Sequence, residues 1–471
     1  MPARSESELA FLSIEQATRQ LRKREISPSD LVEAGLARIE RFNPVLNAFI
    51  TVAAEQARAD ARRAEKLLRQ RPAASPLCGI PVSIKDNFLT RGIRTTAGSP
   101  ILTNFVPDED SDVVRRLKNS GAILLGKTNM HEFAYGITNE NPHYGPARNP
   151  WDRDRVTGGS SGGSASALAV GIGYAATGTD TGGSIRVPSA LCGVVGIKPT
   201  FGLVSVEGVI PLAKTLDHTG PMARCVMDLC ITLEVIGSAH PRGAARPDFR
   251  KLRKGRPRKF RLGRPKQYFF DNVDSEVQSA LESAVKCFKS LGCAIREVSL
   301  PGLDASVGPS TNIALAEATH YHESKGHFPA RSSEYGDDVR HRLELGRKVS
   351  AADYLRALEV KREITAEFDS VFQDVDAILA PTLPITAPLI GEKEVSIGGK
   401  KETVRSALVR LNRPANLTGH PAMSLPCGLT RSGLPIGLQL IGPYWSEFQL
   451  LSIALAYEDA TEWHKRRPPI A

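Results

Sequence analysis

Two hydrophobic patterns alternate along the chain, one repeating every three to four residues and the other running in short continuous apolar blocks. From Ser13 to Arg69 the first pattern holds: Val32, Leu36 and Ile39 recur at helical spacing between charged residues, and Ser27 and Ser29 stand where helix caps are expected. The first 70 residues therefore read as an N-terminal helical layer. The second pattern begins with GIPVSIKDNF (Gly79 to Phe88), a β-rich block ending in a turn. Helix-like SDVVRRLKNSG and strand-like AILLGKT follow, and this succession of strand, helix and strand predicts an α/β sheet. GVVGIKPTFGLVS then reads as a strand pair and MARCVMDLCITLEVIG as a helix.

The second half repeats the scheme. FRLGRPKQYFF, DSEVQSALESAVKCFKSLG and CAIREVSLP read as strand, helix and strand, and Ser310 to Phe372 as mostly polar helix. The tail returns to strands at DAILAPTLP, HPAMSLPCG and GLPIGLQLIG, with helices near Val404 to Asn412 and Phe448 to Asp459. No internal repeat interrupts this order. The chain is expected to form a single domain over residues 1–471, with residues 238–265, rich in Arg, Gly and Pro, as a basic connector.

Composition changes this picture little. The 471 residues, 41% hydrophobic, suffice for an ample core without disulfide staples. The formal charge of +10 would suit a nucleic-acid partner if it covered one face, but much of it sits between Arg250 and Lys266. That run reads as a solvated connector, and no nucleic-acid partner is expected. The seven cysteines lack paired C-x-x-C spacing and are expected to be reduced and buried. No secretory signal or bilayer-spanning stretch is evident, so a cytoplasmic protein without membrane contact is expected, as a monomer or homodimer. His320, His322 and His327 cluster without the i, i+4 spacing or acid partner of a zincin helix, so neither a metal site nor a cofactor is expected.

Candidate chemistry concentrates between Thr157 and Thr200, where two Gly/Ser clusters surround a small apolar stretch. Amide hydrolysis needs a nucleophile, a base for its proton, and donors for the tetrahedral oxyanion. Ser184 suits the first role, because the residues Thr181, Gly182 and Gly183 before it allow backbone amides, with that of Ser184, to converge as an oxyanion hole. Ser160, within GGSSGG, is placed to relay a proton, and Lys85, amid apolar Pro81, Val82 and Ile84, becomes a base if burial keeps it neutral. His131, His143 and His218 are alternative bases by residue type alone.

Taken in order, GIPVSIKDNF, GKTNMHEFAYGITNENPHYGPARNPWD, GGSSGGSASA, GTDTGGSIRVPSALCGVVGIKPT, TLDHTGPMAR, RPANLTGHPAMSLPCG and GLPIGLQLIG resemble the amidase signature family of serine hydrolases over nearly the whole chain. The resemblance implies a large mixed, twisted central sheet covered by helices on both faces. It also implies that Lys85 is the catalytic lysine, Ser160 a relay serine with a cis peptide bond, and Ser184 the acylated nucleophile, with Asp180 and Arg186 as a structural pair supporting the loop. The family also contains the glutaminase subunits of tRNA-dependent amidotransferases. Those usually carry glutamine where Val187 stands, and an acid for the substrate ammonium ahead of the PANL segment, where this chain has Val409-Arg410-Leu411-Asn412-Arg413. The sequence reading therefore puts first a stand-alone amidase acting on a small amide, anilide, ester or carbamate, as a urethanase would, and the glutaminase of an amidotransferase second. Its substrate pockets are expected within Met130 to Tyr144 and Asn312 to Tyr354.

Overall fold

A computed structural model describes residues 5–70, 75–238, 252 and 259–471. Eleven strands form one sheet: β1 Phe49–Val52, β2 Pro81–Lys85, β3 Ile123–Thr128, β4 Ala175–Asp180, β5 Val195–Lys198, β6 His218–Ala223, β7 Arg261–Pro265, β8 Ala294–Val298, β9 Ala377–Pro381, β10 Ala422–Leu429 and β11 Pro435–Ile441. Their spatial order is β1-β3-β2-β4-β6-β5-β10-β11-β9-β7-β8. The sheet is mixed: β3, β2 and β4 run parallel, as do β9, β7 and β8, while the strands between them pair antiparallel.

Strands β2 to β6 are buried at every position, the signature of a sheet covered on both faces. Because successive side chains point to opposite faces, β3 feeds two cores: Leu124 packs with Val82, Val113 and Val226, whereas Ile123 and Leu125 pack with Val32, Ile39 and Phe42 of the N-terminal layer. In β9, Leu379 joins the first of these cores and Ile378 packs instead against Phe269, Ile313 and Phe368.

The N-terminal layer comprises helices Glu6–Ala10, Ile14–Lys23, Pro28–Leu46 and Ala54–Gln70, with Val32, Leu36 and Ile39 buried as their spacing predicts. Ser27 caps the third helix through a reciprocal bond with Asp30, and Pro28 occupies the first turn, where its missing N–H costs nothing. Ser29 is not a cap. It lies inside the helix and donates to Glu65. The layer also contains the edge strand β1, which follows Asn47 in left-handed conformation and was not expected within a helical segment. The strand pair expected over 193–205 is one strand, β5; Val204 makes only an isolated bridge to Gly237. Near Val404 to Asn412 the expected single helix is two short ones, Val404–Val409 and Arg413–Thr418, with Pro414 in the first turn of the second.

Most of the basic connector lies outside the described residues. Its described end is charge-paired: Arg261 with Asp376, Arg264 with Glu282 and Lys266 with Glu297. All seven cysteines are free; Cys225, Cys287 and Cys293 are half-buried rather than buried. Among the described residues, no helix is long and apolar enough to cross a membrane.

Candidate active site

Strands β2 and β4 are parallel neighbours in the register Val82 to Ala175, so Lys85, Thr179 and Asp180 arrive at the same, carboxyl end of the sheet. Ligand sites of open α/β sheets form at that end. The Lys85 amide donates to Thr177 Oγ1 (3.0 Å), and its Nζ donates to Thr179 Oγ1 (2.6 Å) and Ser160 Oγ (2.8 Å). The Gly159–Ser160 peptide bond is cis, as the resemblance implies. Lys85 is inaccessible to solvent. Burial lowers its pKa to about 7, working against Asp180 and Asp217, which favour the charged form. A lysine so placed is neutral in a large fraction of molecules at physiological pH, which the sequence reading required of a base.

Ser184 borders a narrow cleft, which Tyr135, Ile137, Gly182, Arg405 and Arg413 also line. Its side chain makes no hydrogen bond among the described residues and remains slightly exposed, at 5%. The turn that presents it is built on Asp180, whose carboxylate accepts from the amides of Gly183 (2.7 Å) and Ile185 (3.1 Å). Gly183 has φ +122°, and a Cβ there would stand 2.8 Å from Val187 Cγ2, so the turn requires glycine. Since the Gly183 N–H points at Asp180, it is occupied within the protein; the amides of Gly182 and Ser184 make no hydrogen bond among the described residues.

Asp180 and Arg186 form a fully buried bidentate pair, with Nε and Nη2 each 3.0 Å from a carboxylate oxygen. Burial would raise the Asp180 carboxyl, but the guanidinium outweighs it and holds the group well below the usual carboxylate range. Arg186 also donates to Gln439 and Asn416 (both 2.6 Å), and Asn416 returns a bond to Asp180 (2.8 Å). Every arm of the guanidinium is thus engaged, which a buried cation needs. Asp180→Asn is expected to lower stability by about 3–5 kcal/mol, because it strands the Arg186 charge without its counter-ion. Chemical denaturation monitored by tryptophan fluorescence reads this; a change below about 1 kcal/mol, the scale of an exposed pair, would show the pair to be dispensable.

Two supporting groups were missed by the sequence reading. Asp217 accepts from Thr181 Oγ1 (2.5 Å) and from the amides of Leu212 and Ala213, anchoring the start of the Ser184 turn. Burial pushes its carboxyl up to about 6 against those bonds. Lys127, on β3, donates to Phe88 O (2.7 Å) and Thr95 Oγ1 (2.6 Å) and pairs with Asp86 (3.6 Å), bracing the turn after Lys85. Both lie inside conspicuous sequence blocks, yet their partners are distant in the chain.

The histidines are committed elsewhere. His131 faces Asp338, His143 faces Glu132, and His218 Nδ1 bonds the Leu216 carbonyl. His322 is a core residue: Tyr335 Oη lies 2.8 Å from its Nδ1, and Phe133 packs edge-on against its ring at 4.5 Å. Among the described residues no group of three metal-ligating side chains converges. Of the pocket candidates in Met130 to Tyr144, Tyr135 and Ile137 line the cleft, whereas Phe133 is core.

A buried lysine of depressed pKa thus lies against a serine hydroxyl, next to a cleft that a second serine borders. The chain belongs to the amidase signature family: the Amidase profile matches residues 30–451. Among the glutamyl-tRNA(Gln) amidotransferase A subunits, that of Geotalea daltonii is 40% identical to it, across 98% of this chain and 99% of the relative. A solved chain from a vestigial protein complex connected with the origins of an s-triazine catabolic enzyme superposes with a TM-score of 0.89 at 34% identity, covering 96% of this chain and 99% of that one. A solved amidase superposes with a TM-score of 0.86 at 35% identity, covering 95% and 99%.

Proposed function

We propose that the protein hydrolyses a small amide through an acyl-enzyme on Ser184. Lys85 in its neutral form accepts the Ser160 hydroxyl proton as Ser160 takes the proton of Ser184, and the reverse transfers deliver it to the departing nitrogen. Water then releases the acid and restores Ser184. The amides of Thr181, Gly182 and Ser184 serve the oxyanion, without that of Gly183, which Asp180 occupies; each such donor is worth about 3–4 kcal/mol of transition-state stabilisation. The observation that carries this reading is the 2.8 Å contact between Lys85 Nζ and Ser160 Oγ in a site that pulls the lysine to about 7.

Two uses of this chemistry compete. Similarity to amidotransferase A subunits along nearly the whole length favours the reading that the sequence had placed second, a glutamine-hydrolysing subunit working with partners. The cleft favours hydrolysis of an amide without an ammonium group, because no Asp or Glu lines it and Arg405 and Arg413 do. Intact mass after fluorophosphonate treatment, beside turnover of aryl amides, carbamates, carboxylate-bearing amides and glutamine, separates them. A single adduct on the wild type, absent from Ser184→Ala, with turnover of an amide other than glutamine, is expected. Glutamine hydrolysis alone, or activity only after partner subunits are added, assigns the chain to the amidotransferase role; absence of an adduct removes Ser184 as nucleophile.

A further inference from the structure

The helix Val404–Val409 carries Arg405 into the wall of the cleft beside Ser184, where Arg413, at the start of the next helix, joins it. Arg405 is half-buried and makes no hydrogen bond or ion pair among the described residues. Arg413 reaches only neutral groups, Thr311 Oγ1 (2.9 Å) and the Val307 carbonyl (3.4 Å). A third arginine nearby shows the usual arrangement: Arg342 pairs with Asp338 at 3.0 Å and lies over the Tyr135 ring at 5.3 Å. Tyr135 adds a buried hydroxyl with no hydrogen-bond partner on the same wall.

A cation partly withdrawn from water is stabilised by a facing anion, and the guanidinium fork matches a carboxylate with two parallel N–H···O bonds. Burial, with Arg342 and Arg413 close by, pushes the Arg405 guanidinium down to about 9 against the weaker pull of Tyr135 and Asp338, so it stays charged at neutral pH. Burial pushes the Tyr135 phenol up to about 12, which keeps it a donor. Cleft-side donors therefore converge with no carboxylate among the residues that line this cleft.

We propose that this cleft selects amides bearing a carboxylate and no ammonium group, with Arg405 and Arg413 holding the carboxylate while the amide carbonyl lies at Ser184. The assignment of Ser184 rests on the function proposed above; the anion preference does not require turnover. An α-ammonium group would meet two arginines and no Asp or Glu among the residues lining the Ser184 cleft, the nearest acid, Asp338, being paired with Arg342, so glutamine is disfavoured although it carries the same carboxylate and amide.

Binding to catalytically silent Ser184→Ala protein tests this directly. Malonamate, succinamate and glutaramate are each titrated by calorimetry against the neutral amide of equal length (propanamide, butanamide, pentanamide), with glutamine alongside. At least one acid is expected to bind about 10- to 100-fold more tightly than its neutral counterpart and than glutamine, the range of one or two charged hydrogen bonds. Adding Arg405→Met, or Arg413→Met as a second variant, is expected to reduce that preference to within about threefold, while Arg431→Met on an exposed turn retains it. The proposal is overturned if no acid binds better than its neutral partner, absence of binding included, or if the preference survives both arginine variants. Retained preference without wild-type turnover of any of these amides would instead overturn the catalytic reading and leave the anion site standing.

Discussion

Ser184→Ala is expected to lower amide turnover by roughly 10⁴- to 10⁶-fold, the scale on which serine hydrolases lose rate without their nucleophile. The fold should survive intact. Ser184 Oγ makes no hydrogen bond among the described residues and its site is nearly closed, so the substitution removes one small polar atom and leaves no partner unsatisfied. The Asp180 carboxylate, Thr181 and Asp217 continue to hold the turn through contacts that do not involve the serine side chain. Single-turnover assays with an activated ester and thermal unfolding, measured on the same preparation, check both halves. Residual activity near wild type would place the nucleophile elsewhere, and loss of the cooperative transition would reduce Ser184 to a structural residue.

The placement of Ser184 and of its neighbours was legible in the sequence to different degrees, for a physical reason. Glycine at 183 is fixed by local geometry: a positive φ, a close approach to Val187 and a turn closed on Asp180 three residues back. Lys85 was legible because a lysine in a continuous apolar strand stands out, and the structure gives that strand full burial. Asp217 was not, since its task is to accept from Thr181 and from a loop that comes alongside only after β6 pairs with β4. Arg413 was visible as part of a cationic stretch, but Arg405 was not. What distinguishes it, the absence of a counter-ion in a shared cleft, is a property of the packed helices and not of their order in the chain. The strand β1 was missed for a similar reason, because four residues between two strong helices form a strand only when the edge of β3 is there to pair with.

Asp180 links the structural and chemical layers. It closes the turn, neutralises Arg186 and favours the charged form of Lys85, yet burial of the lysine outweighs that last effect. The pair Asp180–Arg186 therefore holds its own charge balance locally and leaves Lys85 without a dedicated counter-ion, which is the condition under which a buried lysine becomes a base.

Lys85 accordingly supports the most discriminating prediction. Lys85→Met is expected to cut kcat/KM by roughly 10²- to 10⁴-fold across substrates, the contribution of a positioned base. Lys85→Arg should be equally impaired at all accessible pH, because a guanidinium stays protonated. In the wild type only the neutral amine accepts a proton, so kcat/KM should rise with pH through about 7 and then level. A midpoint near 10, or near wild-type rate for Lys85→Met at neutral pH, would overturn the relay. The same shift predicts a stability signature of definite sign. The unfolded chain takes up the lysine proton near 10.5 and the folded one only near 7, so the wild type loses stability relative to Lys85→Met as pH falls between those values. Below about 7 both states are protonated and the difference should stop growing. Denaturant titrations of the two proteins from pH 10 to pH 6 measure it without any substrate, and a pH-independent difference would mean that the folded protein does not hold Lys85 away from its ordinary pKa.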